Sequence, residues 1–181
     1  MMLLGGCAAG NREMDRAMEL RSRILTEPCT FSAQITADYI DSRETFTVSC
    51  SHTPEEGLTF EVTQPREIAG ICGTVAGTEG TLRYDGAILA LPLLADGRIS
   101  PVSSPWVLLK ALGSGQILSC GESDGALCIT ARDSYADDAL EAEVWVRDGK
   151  IESAELMWQG RRTLVMEIQG FAFGAHPQDA A

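Results

Sequence analysis

Six cysteines and two histidines supply most of the nucleophiles, bases and soft metal ligands open to this chain, and their spacing decides which chemistry is available. Apart from Cys7, the cysteines are Cys29, Cys50, Cys72, Cys120 and Cys128, an odd number without a pair spaced as zinc ligands require. Cys29 and Cys50 share parity with apolar neighbours and read as small core residues. Cys120 and Cys128 stand symmetrically about Asp124 in an expected hairpin. That placement allows a cross-strand disulfide in an oxidising compartment, with two free thiols as the alternative. Nucleophilic catalysis needs a base oriented by a third group. His52 has no recognisable nucleophile motif beside it, and His176 falls in a polar tail, so hydrolase chemistry is not expected. Gly70, Gly73, Gly77 and Gly80 lack the Gly-Lys-Ser/Thr ending of a phosphate loop and fit bends and bulges in a curved sheet. The acidic run Asp133, Asp137, Asp138, Glu141 and Glu143 does not follow EF-hand spacing and reads as a solvated face. No metal, no cofactor and no catalytic residue are expected.

Cys7 is different. Leu4-Gly5-Gly6-Cys7 looks like a bacterial lipobox, in which the cysteine thiol receives a diacylglyceryl group and the chain is cut just before it. Each buried CH₂ of such a lipid contributes about 0.8 kcal/mol, so several chains anchor a protein firmly without a spanning helix. The expectation is lipid attachment at Cys7 and an extracytoplasmic, membrane-anchored lipoprotein carrying the remnant of a signal peptide. The alternative is an apolar N-terminus with an incidental cysteine. Only six residues precede Cys7, too few for a charged leader and a full apolar stretch.

Composition narrows the partners. Hydrophobic residues make up 45% and charged residues 22%, the balance of a folded domain. The formal net charge is −12, and the lysines are Lys110 and Lys150 alone. A nucleic-acid surface needs clustered positive charge to displace counterions, so no nucleic-acid partner is expected. No run approaches the roughly 20 apolar residues of a spanning helix.

The elements that must position these residues follow from hydropathy periods. Asn11 can cap a helix running to about Leu25, with Met14, Ala17, Met18, Leu20, Ile24 and Leu25 as its apolar stripe. From Cys29 the period becomes two. Phe31, Ala33, Ile35, Ala37 and Tyr39 share one face, then Phe46, Val48 and Cys50, then Leu58, Phe60 and Val62, which describes a one-sided antiparallel meander. Asp85-Gly86, Asp148-Gly149 and Gln159-Gly160 are hairpin turns between further strands. Ser104 and Pro105 open a short helix ending at Gly113. Its residues Trp106, Leu108, Leu109 and Leu112 fit either a plug in the core or a lid over a cavity. The organisation is a tether (residues 1–10), one domain (11–173) and a loose tail (174–181).

This order of elements resembles the LolA/LolB-like lipoprotein-carrier superfamily, in particular its members that are themselves lipoproteins. The resembling segments are Met18–Ile24 running into Phe31–Tyr39, then Thr45–Cys50 and Phe60–Val75. The Leu82–Gly86 hairpin, the Ser104-Pro105 helix and the last three strands, which end Glu167–Phe171, also fit. The resemblance covers roughly residues 14–173 and implies an α+β, mainly β fold. That fold is a strongly curved antiparallel sheet, an open, unclosed barrel of about ten strands, covered by the N-terminal helix and a short lid helix. It also implies a cavity that takes a lipid, a lipoprotein acyl chain or another apolar ligand without catalysis. Phe31, Ile35, Tyr39, Phe46, Val48, Phe60, Val62, Trp106 and Leu109 are the residues expected to line it, since sheet parity turns them inward. Parity does not separate a cavity wall from a filled core. The alternative is therefore a structural or sensor module of the same fold with a filled interior, working with a cell-envelope protein partner.

Overall fold

The computed structural model describes residues 9–38, 42–91, 94–95, 98–136 and 139–174. Cys7, Tyr39, Asp137, Asp138 and His176 lie outside the described residues, as does the tail beyond Gly174. Helix α1 spans Ala9–Thr26. Strands β1 (Cys29–Asp38), β2 (Arg43–Thr53), β3 (Gly57–Gln64), β4 (Cys72–Ala76), β5 (Glu79–Tyr84) and β6 (Ala87–Ala90) follow as one meander. A small pair, β7 (Leu94–Ala95) and β8 (Arg98–Ile99), leads through a 3-10 turn (Pro101–Ser103) into α2 (Ser104–Ser114). A second meander closes the chain: β9 (Gln116–Ser123), β10 (Ala126–Arg132), β11 (Glu141–Arg147), β12 (Lys150–Trp158) and β13 (Arg161–Phe173).

The two meanders join where β1 pairs antiparallel with β13, giving an 11-stranded sheet in the order β6-β5-β4-β3-β2-β1-β13-β12-β11-β10-β9. The edges β6 and β9 do not pair with each other, so the barrel is open. Four hairpins turn through Asp85-Gly86, Asp124-Gly125, Asp148-Gly149 and Gln159-Gly160, with both residues at φ between +46° and +78°. Those values match the right-handed twist of the flanking strands, and an aspartate or glutamine tolerates the first position where glycine takes the second.

Alternation decides which face is buried. Cys29, Phe31, Ala33, Ile35 and Ala37 of β1 are buried, as are Phe46, Val48, Cys50 and His52 of β2 and Leu58, Phe60 and Val62 of β3. Their neighbours carry hydroxyls that pair across the outer face, as Thr36 does with Thr45 at 3.1 Å and Thr74 with Thr81 at 2.9 Å. One inward position is held open by a glycine. A Cβ at Gly73 would fall on the carbonyl oxygen of Thr81 and 2.8 Å from the Phe60 ring, so the close seat of that ring needs a residue without one.

Both helices differ in detail from expectation. Helix α1 begins before Asn11, which lies inside it and not at its cap. Its buried stripe is narrower than the hydropathy pattern: Ala17, Leu20 and Ile24 face the sheet, while Met14, Met18 and Leu25 remain 37–50% exposed. Helix α2 runs two residues further than expected up to its Gly115 C-cap, and Ser103 occupies the N-cap position without a side-chain capping bond. The reason is the preceding 3-10 turn. The Ser103 and Ser104 hydroxyls donate back to the carbonyls of Ser100 (2.8 Å) and Pro101 (2.7 Å), continuing that turn into the helix. Arg21 of α1 ties the helices together, donating from Nε to Leu112 O at 2.7 Å and from Nη2 to Gly115 O at 2.8 Å. Among the described residues no helix is long and apolar enough to cross a membrane.

Candidate functional site

Of the nine residues expected to line a cavity, the eight that are described separate into the core and a groove. Phe31, Ile35, Phe46, Val48, Phe60 and Val62 pack into one contiguous core with Leu108 and Leu112 of α2 and Leu20 of α1. Parity turned them inward as expected. The concavity they face is occupied by helix side chains, and Ile35, Val48 and Leu108 retain no exposure at all. Phe31 also stacks on Phe171 at 5.6 Å, and Phe171 meets Phe173 edge-on at 5.0 Å. Leu109 belongs to the same core, and the half-buried Trp106 packs against it. Both line a groove of about 320 Å³ at the mouth of the open barrel, where α2 meets the last turn of α1 and the β2–β3 and β4–β5 turns.

This groove is walled by Ile24, Leu25, Pro54, Trp106 and Leu109, with His52 and Lys110 as its ionisable groups. Each wall residue comes from a different local rule. Ile24 and Leu25 end the α1 stripe, and Pro54 opens the β2–β3 turn. Trp106 and Leu109 are one helical turn apart on α2, which puts them on one face. Trp106 is only half-buried, and its indole Nε1 donates to Gly77 O at 3.1 Å, pinning the start of α2 to the β4–β5 turn.

His52 was not expected here. It ends the inward row of β2, pairs with Cys29 across the sheet and is 5% exposed. Its ring lies 6.1 Å from that of Trp106, tilted by 39°. Its Nδ1 is buried without a hydrogen-bond partner. Leaving such an atom unpaired costs about 1–3 kcal/mol. Burial pushes the imidazole pKa down, and the nearby Glu55 carboxylate offsets this only partly, so the ring is neutral at pH 7. The signal that could have found it was its even spacing from Phe46, Val48 and Cys50, the alternation that marks an inward position.

The other reactive residues resolve into structural roles. The hairpin pairs Cys120 with Ile129 and Cys128 with Gly121, because its centre lies between Asp124 and Gly125. The expected symmetry about Asp124 is thus off by half a residue. The two thiols point to opposite faces and are free, which corrects the expected disulfide. Cys128 instead approaches Glu143 at 3.5 Å, and its pKa is pushed up to about 11 by burial and that carboxylate. Cys29 is pushed up to about 12 by burial, and Cys50 is raised for the same reason. In the acidic run, Asp133 accepts from the Leu140 backbone at 2.9 Å and Glu141 pairs with Arg132 at 3.2 Å. Among the described residues no three His, Cys, Asp or Glu side chains converge as metal ligands. A groove of about 360 Å³ on the outer face, between β2 and β5, is lined by Ser49, Ser51, Glu61, Cys72 and Arg83 with Thr59, which donates to Ser51 O, and the bonded pair Thr74 and Thr81.

No family model matches this sequence, and no curated protein matches it either. Solved structures do align over most of the chain. A LolA superfamily protein from Nitrosomonas europaea aligns over 96% of this chain and 97% of its own, at 11% identity and a TM-score of 0.49. The lipoprotein LppX of Mycobacterium tuberculosis aligns over 92% and 96%, at 15% identity and 0.39. LprF of Mycobacterium bovis aligns over 92% and 94%, at 9% identity and 0.42. At these identities and scores the likeness does not say what this chain binds.

Proposed function

We propose that this chain is a membrane-anchored, extracytoplasmic lipoprotein that holds an acyl chain of a lipid or acylated protein in the groove beneath α2, without chemical conversion. The observation that carries this reading is the groove itself, an apolar recess bordered by a short helix that the Trp106 indole ties to Gly77 and Arg21 ties to α1. Ligand sites are typically concave, mostly apolar and about 300–1,000 Å³, and this one falls at the small end of that range. Release of these ties would let α2 lift and offer Phe31, Ile35, Phe46, Val48, Phe60 and Val62 to a longer chain. The lipobox at Cys7 supplies the anchor.

The test is native mass spectrometry on the exported chain carrying Cys7→Ser, alongside the wild type. A co-purifying mass that organic solvent removes supports binding, and a lipid-sized mass on the wild type that is missing from Cys7→Ser supports the anchor. A clean apo mass, unshifted by added phospholipid or acylated peptide, rules binding out.

A second reading has one observation in its favour. The edge strand β6 is apolar and uncovered, with Ile88 65% and Leu89 57% exposed, and such edges template pairing with another chain. An envelope module that docks a partner strand there would keep its interior filled. Retained partner binding by a ligand-free protein, lost on Leu89→Lys, would favour it.

A further inference from the structure

The two edges of the sheet are protected unequally. Strand β9 packs against α1 and carries Glu122, which lies 3.9 Å from Arg16 of that helix. A charge and a covering helix are common defences of an edge. Strand β6 has neither. Ala87, Ile88, Leu89 and Ala90 are all exposed, so both faces of the strand are open as well as its edge.

The ladder to β5 fixes which backbone groups that edge offers. Tyr84 pairs with Ala87 and Leu82 with Leu89, and Leu91 N donates to Gly80 O at 2.8 Å. Hydrogen-bonded and non-hydrogen-bonded positions alternate along an antiparallel pair. Ala87, Leu89 and Leu91 therefore turn their N–H and C=O groups toward β5, and Ile88 and Ala90 turn theirs outward.

We propose that β6 pairs with β6 of a second copy of this chain, antiparallel about a two-fold axis through Leu89. The inference rests on the edge-docking reading of β6 and names the partner, and it is independent of what the groove holds.

Phase, symmetry and charge select that partner. When Ile88 faces Ala90 of the second copy, and Ala90 faces Ile88, every outward N–H and C=O of both strands is bonded. Leu89 then meets its own copy at a non-hydrogen-bonded position, where Cα atoms stand about 4.5 Å apart and side chains are closest. Beside it lies Leu82, which packs against the core, so the contact prolongs the inward apolar row of each copy. A two-fold contact needs a surface that is its own complement, and an uncharged strand in this phase is one. Copies of net charge −12 repel each other. From Thr81 to Leu91 the charged residues are Arg83 and Asp85, of opposite sign, so this edge is a neutral patch on an acidic molecule. A basic strand would find no carboxylate on β6. Four residues span about 14 Å and bury less than the roughly 1,200 Å² of a standard interface, so the dimer is weak and reversible.

The experiment is sedimentation velocity on the full chain carrying Cys7→Ser, under reducing conditions, from about 10 μM to about 1 mM. The chain should pass reversibly from monomer toward dimer as concentration rises, and added salt should tighten the dimer by screening the repulsion. Leu89→Lys sets two ammonium groups on the axis. Ile88→Pro removes an outward donor and leaves the ladder to β5 intact. Each should weaken the dimer by about tenfold or more. On oxidation Leu89→Cys should link two copies, whereas Ile88→Cys stands about 8 Å from its counterpart, too far for a disulfide. Amide exchange needs no substitution: Ile88 and Ala90 should slow at high concentration, and Leu89 should not change.

A chain that stays monomeric throughout, with Ile88 and Ala90 exchanging equally fast at both concentrations, would overturn the second copy and leave the edge to a strand of another protein. A dimer indifferent to both Leu89→Lys and Ile88→Pro, or one linked through Ile88→Cys and not Leu89→Cys, would overturn this pairing. Ile88 and Ala90 amides already protected in the monomer would overturn the edge-docking reading and this inference with it.

Discussion

Arg21 is the place to test whether α2 behaves as a lid held from outside. Its guanidinium donates to Leu112 O at 2.7 Å and Gly115 O at 2.8 Å, so two carbonyls at and just past the C-terminal end of α2 depend on one side chain of α1. Those carbonyls have no intrahelical partner and carry the negative end of the helix dipole. A hydrogen bond to a charged donor contributes about 1.5–3 kcal/mol. Both bonds are partly solvated, so solvent screening argues for the low end and water can replace part of what is lost. Arg21→Met keeps most of the apolar stem and removes both donors, and the expected loss is about 2 kcal/mol. For a domain of this size that lowers Tm by about 4–8 °C. Arg21→Lys can make at most one of the two bonds and should recover less than half of the loss. Thermal and urea melts followed by circular dichroism give the stability. Amide exchange should show the added opening concentrated in α2 and absent from the β1–β13 pair. A Tm within about 1 °C of wild type, or full recovery by lysine, would refute the bidentate tie.

Two further outcomes follow from titratable groups. His52 is lowered in the fold from the ordinary value of 6.5, so as pH falls below that value the unfolded chain takes up a proton that the folded chain resists. The stability contributed by keeping His52 neutral is present above 6.5 and is lost as pH falls through the folded pKa. In urea melts across that window His52→Phe should therefore flatten the loss. For the cysteines, Cys29 and Cys50 should resist alkylation until the chain unfolds, because both are buried and their thiolates are disfavoured. Half-buried Cys72 should react before either of them, and mass spectrometry of the native protein should find no linkage between Cys120 and Cys128.

Much of the fold was legible in the sequence because one-sided strands must alternate. The inward rows of β1 to β3, the turn pairs Asp85-Gly86, Asp148-Gly149 and Gln159-Gly160, and the apolar helix after the proline all follow from local periods and turn chemistry. Alternation also turned the expected cavity residues inward, and every one that is described is inward or at the mouth.

Other features depend on contacts that no local pattern carries. Whether Phe31 or Phe46 faces a void or a neighbour depends on how far Leu108, Leu112 and Leu20 reach into the concavity, a matter of packing between elements far apart in the chain. The half-residue offset that sends Cys120 and Cys128 to opposite faces comes from where the hairpin closes, and a period of two makes so small an error decisive. His52 reads in sequence as a histidine near a strand end. Only tertiary packing brings Trp106 to 6.1 Å from its ring and leaves its Nδ1 without a partner, since that arrangement requires α2 to fold back across β2 from more than fifty residues away.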